Sequence, residues 1–263
     1  MDEQTYMIIS FEQLEVYLLI LARIGGIFIQ APVLSIRTIP GWVKTAICIW
    51  VAAVLWFIVP IPHALPPNNL ILIMALINEV LIGYLIGFVC SLIFEAIRAA
   101  GDIMDLQMGL SIATIVSPVT GGIVSVVGQL AFLIALIIFF VVDGHHMILS
   151  AFHQSFRMLP LAAPINIFSD KLALQLIDLG GALWSTALQM AIPVILIIFL
   201  SDFTFGIVSR VAPQVNVFML GFQVKPSLGF IGILFILPLF IRQIIHLFGK
   251  MGEEVLKLFL SLK

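Results

Sequence analysis

RVAPQVNVFMLGFQVK, residues 210–225, is a small polar island between two long apolar tracts. Residues 179–201 carry no charge, Asp202 and Arg210 interrupt the run, and a second apolar tract follows Lys225. Pro213 has no backbone donor and disfavours helix at Ala212, so two helices are expected to meet here at a tight turn. A turn bearing Arg210, Gln214, Asn216 and Lys225 is either a plain hairpin tip at a membrane surface or a docking site. Either way the tracts on both sides read as apolar helices.

Composition extends that reading to the whole chain. Of 263 residues, 62% are hydrophobic and 10% charged, where a soluble domain carries about 25% charge. Mean hydropathy is +1.23. These values describe a polytopic membrane protein, all-α rather than an alternating barrel. A net charge of −2 argues against nucleic acid as a partner. Cys48 and Cys90 lie inside apolar runs and read as buried thiols, not a disulfide. The start of the chain is acidic (Asp2, Glu3, Glu12, Glu15) and lacks a basic n-region, so the first apolar segment is expected to be retained. With no linker or low-complexity tract, residues 1–263 read as one domain.

Six apolar segments are expected, over residues 14–33, 45–59, 70–100, 123–142, 171–208 and from 216 onward, the last with breaks at Pro226 and Pro238. A short helix is expected over residues 145–158 of the connector between the fourth and fifth. A span needs about 20 residues. Several segments are interrupted by charge, Gly or Pro, and irregular backbone at membrane depth must be buried in protein or line a cavity. Arg37, Lys44, Arg98, Arg210 and Lys225 adjoin alternate loops, which puts residues 210–225 on the cytoplasmic side. Arg242, Lys250, Lys257 and Lys263 fall on the opposite side. The tail, residues 241–263, is amphipathic and is expected to lie on a membrane or on neighbours.

Glu79, Gly83, Gly87, Ser91 and Glu95 recur every four residues and form one helical stripe. Gly83 and Gly87 make a small-xxx-small seam for another helix. Glu79 either pairs with a neighbouring subunit or binds a proton or cation. Arg98 has Glu95 and Asp102 at pairing distance on the helix. Of the histidines, His146 and His153 stand seven apart near Asp143, without the convergent set a metal needs. No nucleophile motif, phosphate loop or catalytic carboxylate pair stands out, so neither catalysis nor a cofactor is expected. Residues 109–118 are uncharged: Gly109, Leu110, Ser111, Ile112, Ala113, Thr114, Ile115, Val116, Ser117 and Pro118. They are too short and β-branched to read as a helix. Such a loop is expected to be buried against protein or to plug a cavity.

Five stretches together carry a resemblance: APVLSIRTIPGWVK (residues 31–44), EVLIGYLIGF (79–88), AGDIMDLQMGLSIATIVSP (100–118), DGHHMILSAFHQSFRMLP (143–160) and RVAPQVNVFMLGFQVK (210–225). In this order they resemble the FliR family, the R subunit of the flagellar and injectisome type III protein export gate. The resemblance implies a non-enzymatic subunit of the bacterial inner membrane, at the flagellar basal body. Its partners would be FliP-like and FliQ-like subunits in a cone-shaped complex, with FlhB-like and FlhA-like proteins associated and unfolded substrates crossing a central channel. It also implies helical hairpins with broken helices, residues 1–170 being similar to a FliP-like subunit and residues 171–263 to a FliQ-like hairpin. Residues 109–118 look like the family's channel plug, with Ser117 where members commonly carry an acid. Arg210, Pro213, Gln214, Asn216, Phe222 and Lys225 look like the cytoplasmic hairpin tip, and Glu79, Gly83, Gly87, Glu95 and Arg98 like subunit packing. The alternative is a small-solute or ion transporter that uses Glu79 and Arg98.

Overall fold

The computed structural model describes residues 11–32, 40–59, 66, 68–111, 125–163, 165 and 169–262. Among them there are seven helices and no strand: α1 (Phe11–Gln30), α2 (Gly41–Trp56), α3 (Asn69–Met108), α4 (Val126–Val141), α5 (Gly144–Met158), α6 (Asp170–Val211) and α7 (Val217–Ser261). They form two compact units. Unit one is Met1–Ser91, His146–Leu176 and Gly252–Lys263; unit two is Leu92–His145 and Ile177–Met251.

Unit one is built on the stripe Val16, Leu19, Ile20, Ile24 and Phe28 of α1, spaced three and four apart so that one face is continuously apolar. Cys48 and Ala52 of α2, Ala75 of α3, Phe156 of α5 and Leu161 complete that core. Glycines bring α1 and α3 together backbone to backbone. A Cβ at Gly26 would lie 2.9 Å from the Tyr84 nitrogen, and one at Gly87 2.9 Å from the Ile27 oxygen. The end of the tail belongs here too: Val255, Leu258, Phe259 and Leu262 are buried, and the Ser169 hydroxyl donates to the Ser261 carbonyl at 3.1 Å. At this end of the tail the apolar face, expected on a membrane or on neighbours, is covered within the chain itself, whereas Ile245 of the same face is 46% exposed.

Unit two centres on an aromatic cluster. The Phe94 ring lies 5.8 Å from Phe132, 5.4 Å from Phe139 and 5.1 Å from Phe248. On α6, Ala187, Met190, Ala191, Val194 and Ile198 bury one stripe, whereas Trp184, Phe199 and Phe203 remain exposed.

Two boundaries differ from expectation. The polar stretch after residue 100 does not leave the helix: α3 continues to Met108, because nothing before Gly109 breaks it. Pro226 and Pro238 do not interrupt α7, which runs through both. Each proline removes one i→i−4 bond, but in apolar surroundings helix still satisfies the remaining backbone groups best. Among the described residues three helices, α3, α6 and α7, are long and apolar enough to cross a membrane, or four if α4 and α5 make one broken span. Six segments were expected; α2, with 16 residues, is too short to count.

Candidate functional site

Three constellations of polar groups stand out in this apolar chain. The first lies in unit one. Arg23 falls within the buried stripe of α1 and is itself fully buried, as is Glu79 of α3. Arg23 Nε donates to Glu79 Oε2 at 2.5 Å. Its Nη1 donates to the Leu159 carbonyl at 3.0 Å and to Ser155 Oγ at 3.3 Å, and its guanidinium lies 4.5 Å from the centre of the Phe156 ring. Glu79 Oε1 accepts the Ala162 N–H at 3.0 Å. Ala162 has φ 59°, a left-handed conformation a side chain adopts only when its surroundings hold it. One ion pair thus ties α1, α3, α5 and the turn after α5. A buried pair holds only when further hydrogen bonds satisfy both partners, and here most of them are supplied.

The predicted stripe on α3 divides. Glu79, Gly83 and Gly87 belong to unit one, and the helix the glycines admit is α1 of the same chain: a Cβ at Gly83 would lie 2.9 Å from the Arg23 carbonyl carbon. Glu95 and Arg98 belong to unit two, where Glu95 is exposed and Arg98 half-buried.

The second constellation joins the C-terminus of α3 to the start of α4, in unit two. Gly109, at φ +79°, ends α3. Its N–H donates to the Leu106 carbonyl at 3.1 Å, and the Leu110 N–H to the Asp105 carbonyl at 3.2 Å. This is a Schellman motif, whose left-handed residue is best a glycine. Ser125 caps α4, its Oγ accepting the Gly128 N–H at 2.8 Å. The Asp105 side chain, buried, bridges the two ends: Oδ2 accepts from Ser111 Oγ at 3.2 Å and Oδ1 from the Val127 N–H at 3.2 Å. Of the predicted plug, Gly109, Leu110 and Ser111 are described; Ile112, Ala113, Thr114, Ile115, Val116, Ser117 and Pro118 lie outside the described residues.

The third constellation is the turn between α6 and α7, also in unit two. The Val215 N–H donates to the Ala212 carbonyl at 3.0 Å, which places Pro213 at the second position of the turn, where its fixed φ belongs. Asn216 caps α7 by accepting the Met219 N–H at 3.2 Å. Arg210, Pro213, Gln214 and Asn216 are exposed; Phe222 and Lys225 are half-buried. Lys225 Nζ lies 2.5 Å from Asp202 Oδ1. That pair lines a pocket of 320 Å³ together with Phe205, Phe218, Phe222, Met108 and Gly109 among others. The first residue of the predicted plug and the base of the predicted tip, more than 100 positions apart in sequence, therefore share one cavity.

Sequence reasoning did not single out Arg23, Asp105 or Asp202. Arg23 had a readable signal, a lone charge on an otherwise apolar helix face. Asp202 was visible as a charge interrupting an apolar run, but not its partner Lys225, and Asp105 gave no signal, since its partners are a hydroxyl and a backbone group.

The profile of a family described as bacterial export proteins, family 1, matches residues 14–251 of the chain. Among curated proteins, the chain is 30% identical to a flagellar biosynthetic protein FliR of Bacillus subtilis over 82% of its own length and 83% of the relative's. It is 29% identical to the FliR of Escherichia coli over 90% of each. It is also 28% identical to Yop proteins translocation protein T of Yersinia pestis, over 81% of this chain and 82% of that one.

Proposed function

The chain belongs to the FliR family of bacterial export proteins, and from that premise we propose that it is the subunit that closes the type III export channel at rest. It is a structural component of a type III protein export apparatus, and its apolar helices are those of a membrane protein. In the proposed mechanism residues 109–118 occlude the channel through which unfolded substrates cross the bacterial inner membrane, and move aside for a passing chain. The small and β-branched side chains Ala113, Thr114, Ile115 and Val116 supply the obstruction. It works without catalysis.

The observation that carries this reading is the shared pocket of Gly109, Phe222 and Lys225. It sets the beginning of the occluding segment against the hairpin tip, so a partner docked at the tip can act on the segment without a long relay. FliP-like and FliQ-like subunits are the proposed neighbours, with residues 1–170 as the FliP-like part and 171–263 as the FliQ-like hairpin. FlhB-like and FlhA-like proteins dock from the cytoplasmic side, at a flagellar basal body. Glu95 and Arg98 pack against neighbouring subunits. The large exposed apolar area of α6 and α7, whose most apolar windows are only 22% buried, fits helices covered by lipid or other chains.

A transporter that uses Glu79 finds no support: both its oxygens are engaged inside the chain by Arg23 and Ala162. The test of the gate is electrical. Replacing residues 112–117 by a shorter Gly/Ser loop in the assembled complex raises resting ion conductance. An assembled complex whose conductance does not change refutes the occluding role.

A further inference from the structure

Within unit two, α6 and α7 line a cavity of 130 Å³. Met190, Ile236 and Phe240 give it apolar walls, and its polar side chains are Gln189 of α6 and Gln243 of α7. Gln189 is exposed and Gln243 half-buried, and neither amide makes a hydrogen bond among the described residues. Pro193 lines the same cavity, and having no N–H it leaves the Gln189 carbonyl without its i+4 donor. The surface around these groups is apolar: Leu188, Ile192 and Leu239 are all exposed. Gln189 itself lies near the middle of the charge-free run 179–201. Whatever covers the exposed apolar side chains covers the two amides as well. A carboxamide removed from water is unfavourable unless it finds a hydrogen-bonding partner, and acyl chains offer none.

We infer that this cavity receives the carboxamide side chain of an Asn or Gln from a helix of another subunit of the export apparatus. Complementarity selects that group. Each glutamine amide presents two N–H donors and an oxygen acceptor, and the Gln189 carbonyl adds a further acceptor. A carboxamide both donates and accepts, so it answers all of them. A charged group would lose its hydration against Met190, Ile236 and Phe240, and a hydroxyl has a single proton to give. Apolar packing alone barely distinguishes a neighbouring helix from lipid, whereas a polar side chain bonded across the interface fixes which helix docks and how it is rotated. The docking site is separate from residues 109–118 and does not depend on their occluding role.

Gln189→Leu and Gln243→Leu are compared with the parent, both in the complex extracted from membranes and as the full chain alone in detergent. Each variant is expected to shorten the half-life of the complex about three- to thirty-fold, the range for one hydrogen bond between membrane helices. The unfolding midpoint of the chain alone stays the same or rises, because no bond within the chain is lost. A variant chain that folds with that midpoint but no longer assembles also supports the proposal. Unchanged half-lives overturn it. So does a lower midpoint of the chain alone in both variants, since the amides then act within the chain. Gln189→p-benzoylphenylalanine, irradiated in the assembled complex, identifies the occupant by the mass of the adduct. An adduct on a peptide of another subunit that holds Asn or Gln supports the proposal. An adduct to lipid, to a second copy of this chain or to a peptide without a carboxamide overturns it, and if no adduct forms the half-lives decide.

Discussion

Arg23 and Glu79 form an ion pair inside one chain, 2.5 Å from nitrogen to oxygen, with side chains 0% and 1% exposed. A charge left alone at such a site cannot be rehydrated. Removing either partner is therefore expected to destabilise the chain by about 3–5 kcal/mol, whereas replacing both by apolar groups of similar size costs much less. Thermal unfolding in detergent of Glu79→Leu, Arg23→Met and the double variant checks this. A double variant less stable than both singles would contradict it.

Gly83 and Gly181 are both helical glycines with opposite expected responses to alanine. At Gly83 the new Cβ meets the Arg23 backbone, which cannot give way without moving α1. At Gly181 nothing lies within 4 Å. Gly83→Ala should lower the unfolding midpoint. Gly181→Ala should raise the stability of the isolated chain by up to about 1 kcal/mol, the helix-propensity difference.

Gly109 is required by its backbone, not by crowding: φ is +79° and a Cβ would meet no atom within 4 Å. Gly109→Ala should cost about 1–2 kcal/mol from the left-handed conformation alone. Gly109→Asn should cost less, because Asn tolerates that conformation. Equal stability of all three in chemical denaturation would show that the α3 terminus rearranges.

Asp202 and Lys225 are 46% and 27% exposed, so their pair is expected to contribute at most about 1 kcal/mol, and less as salt rises. Lys225→Glu should weaken partner docking at the tip far more than it weakens the fold. The exchanged pair Asp202→Lys with Lys225→Glu should restore stability. Co-purification across a salt series separates the two effects.

The helical class and the turn at Pro213 were legible because apolar length and a missing backbone donor are local properties. The end of α3 was not: the polar residues after Ala100 read as a connector, whereas the helix runs on to Met108 and stops only at Gly109, which takes the left-handed conformation. Pro226 and Pro238 misled, because local propensity breaks a helix that an apolar environment maintains. Glu79 was legible as a costly charge, but its partner was not: nothing in the spacing of residues 23 and 79 shows that α1 and α3 touch. That contact is made by Gly26, Gly83 and Gly87, whose meaning depends on which helix arrives. The shared pocket of Gly109 and Lys225 is likewise a product of tertiary packing, invisible to any window of sequence.

The two prolines inside α7 leave a mark on the helix that survives its continuity. Pro226 has no N–H for the Phe222 carbonyl, and Pro238 none for the Leu234 carbonyl. Leu234 is 69% exposed on a helix of span length, and acyl chains offer a carbonyl no donor. α7 therefore has two acceptors at fixed heights along its axis, one of them on a residue that lines the tip pocket. In place of the missing N–H, such an acceptor can take water or a polar side chain of a neighbouring helix. A partner helix with donors spaced to match would find its vertical register on α7 already set.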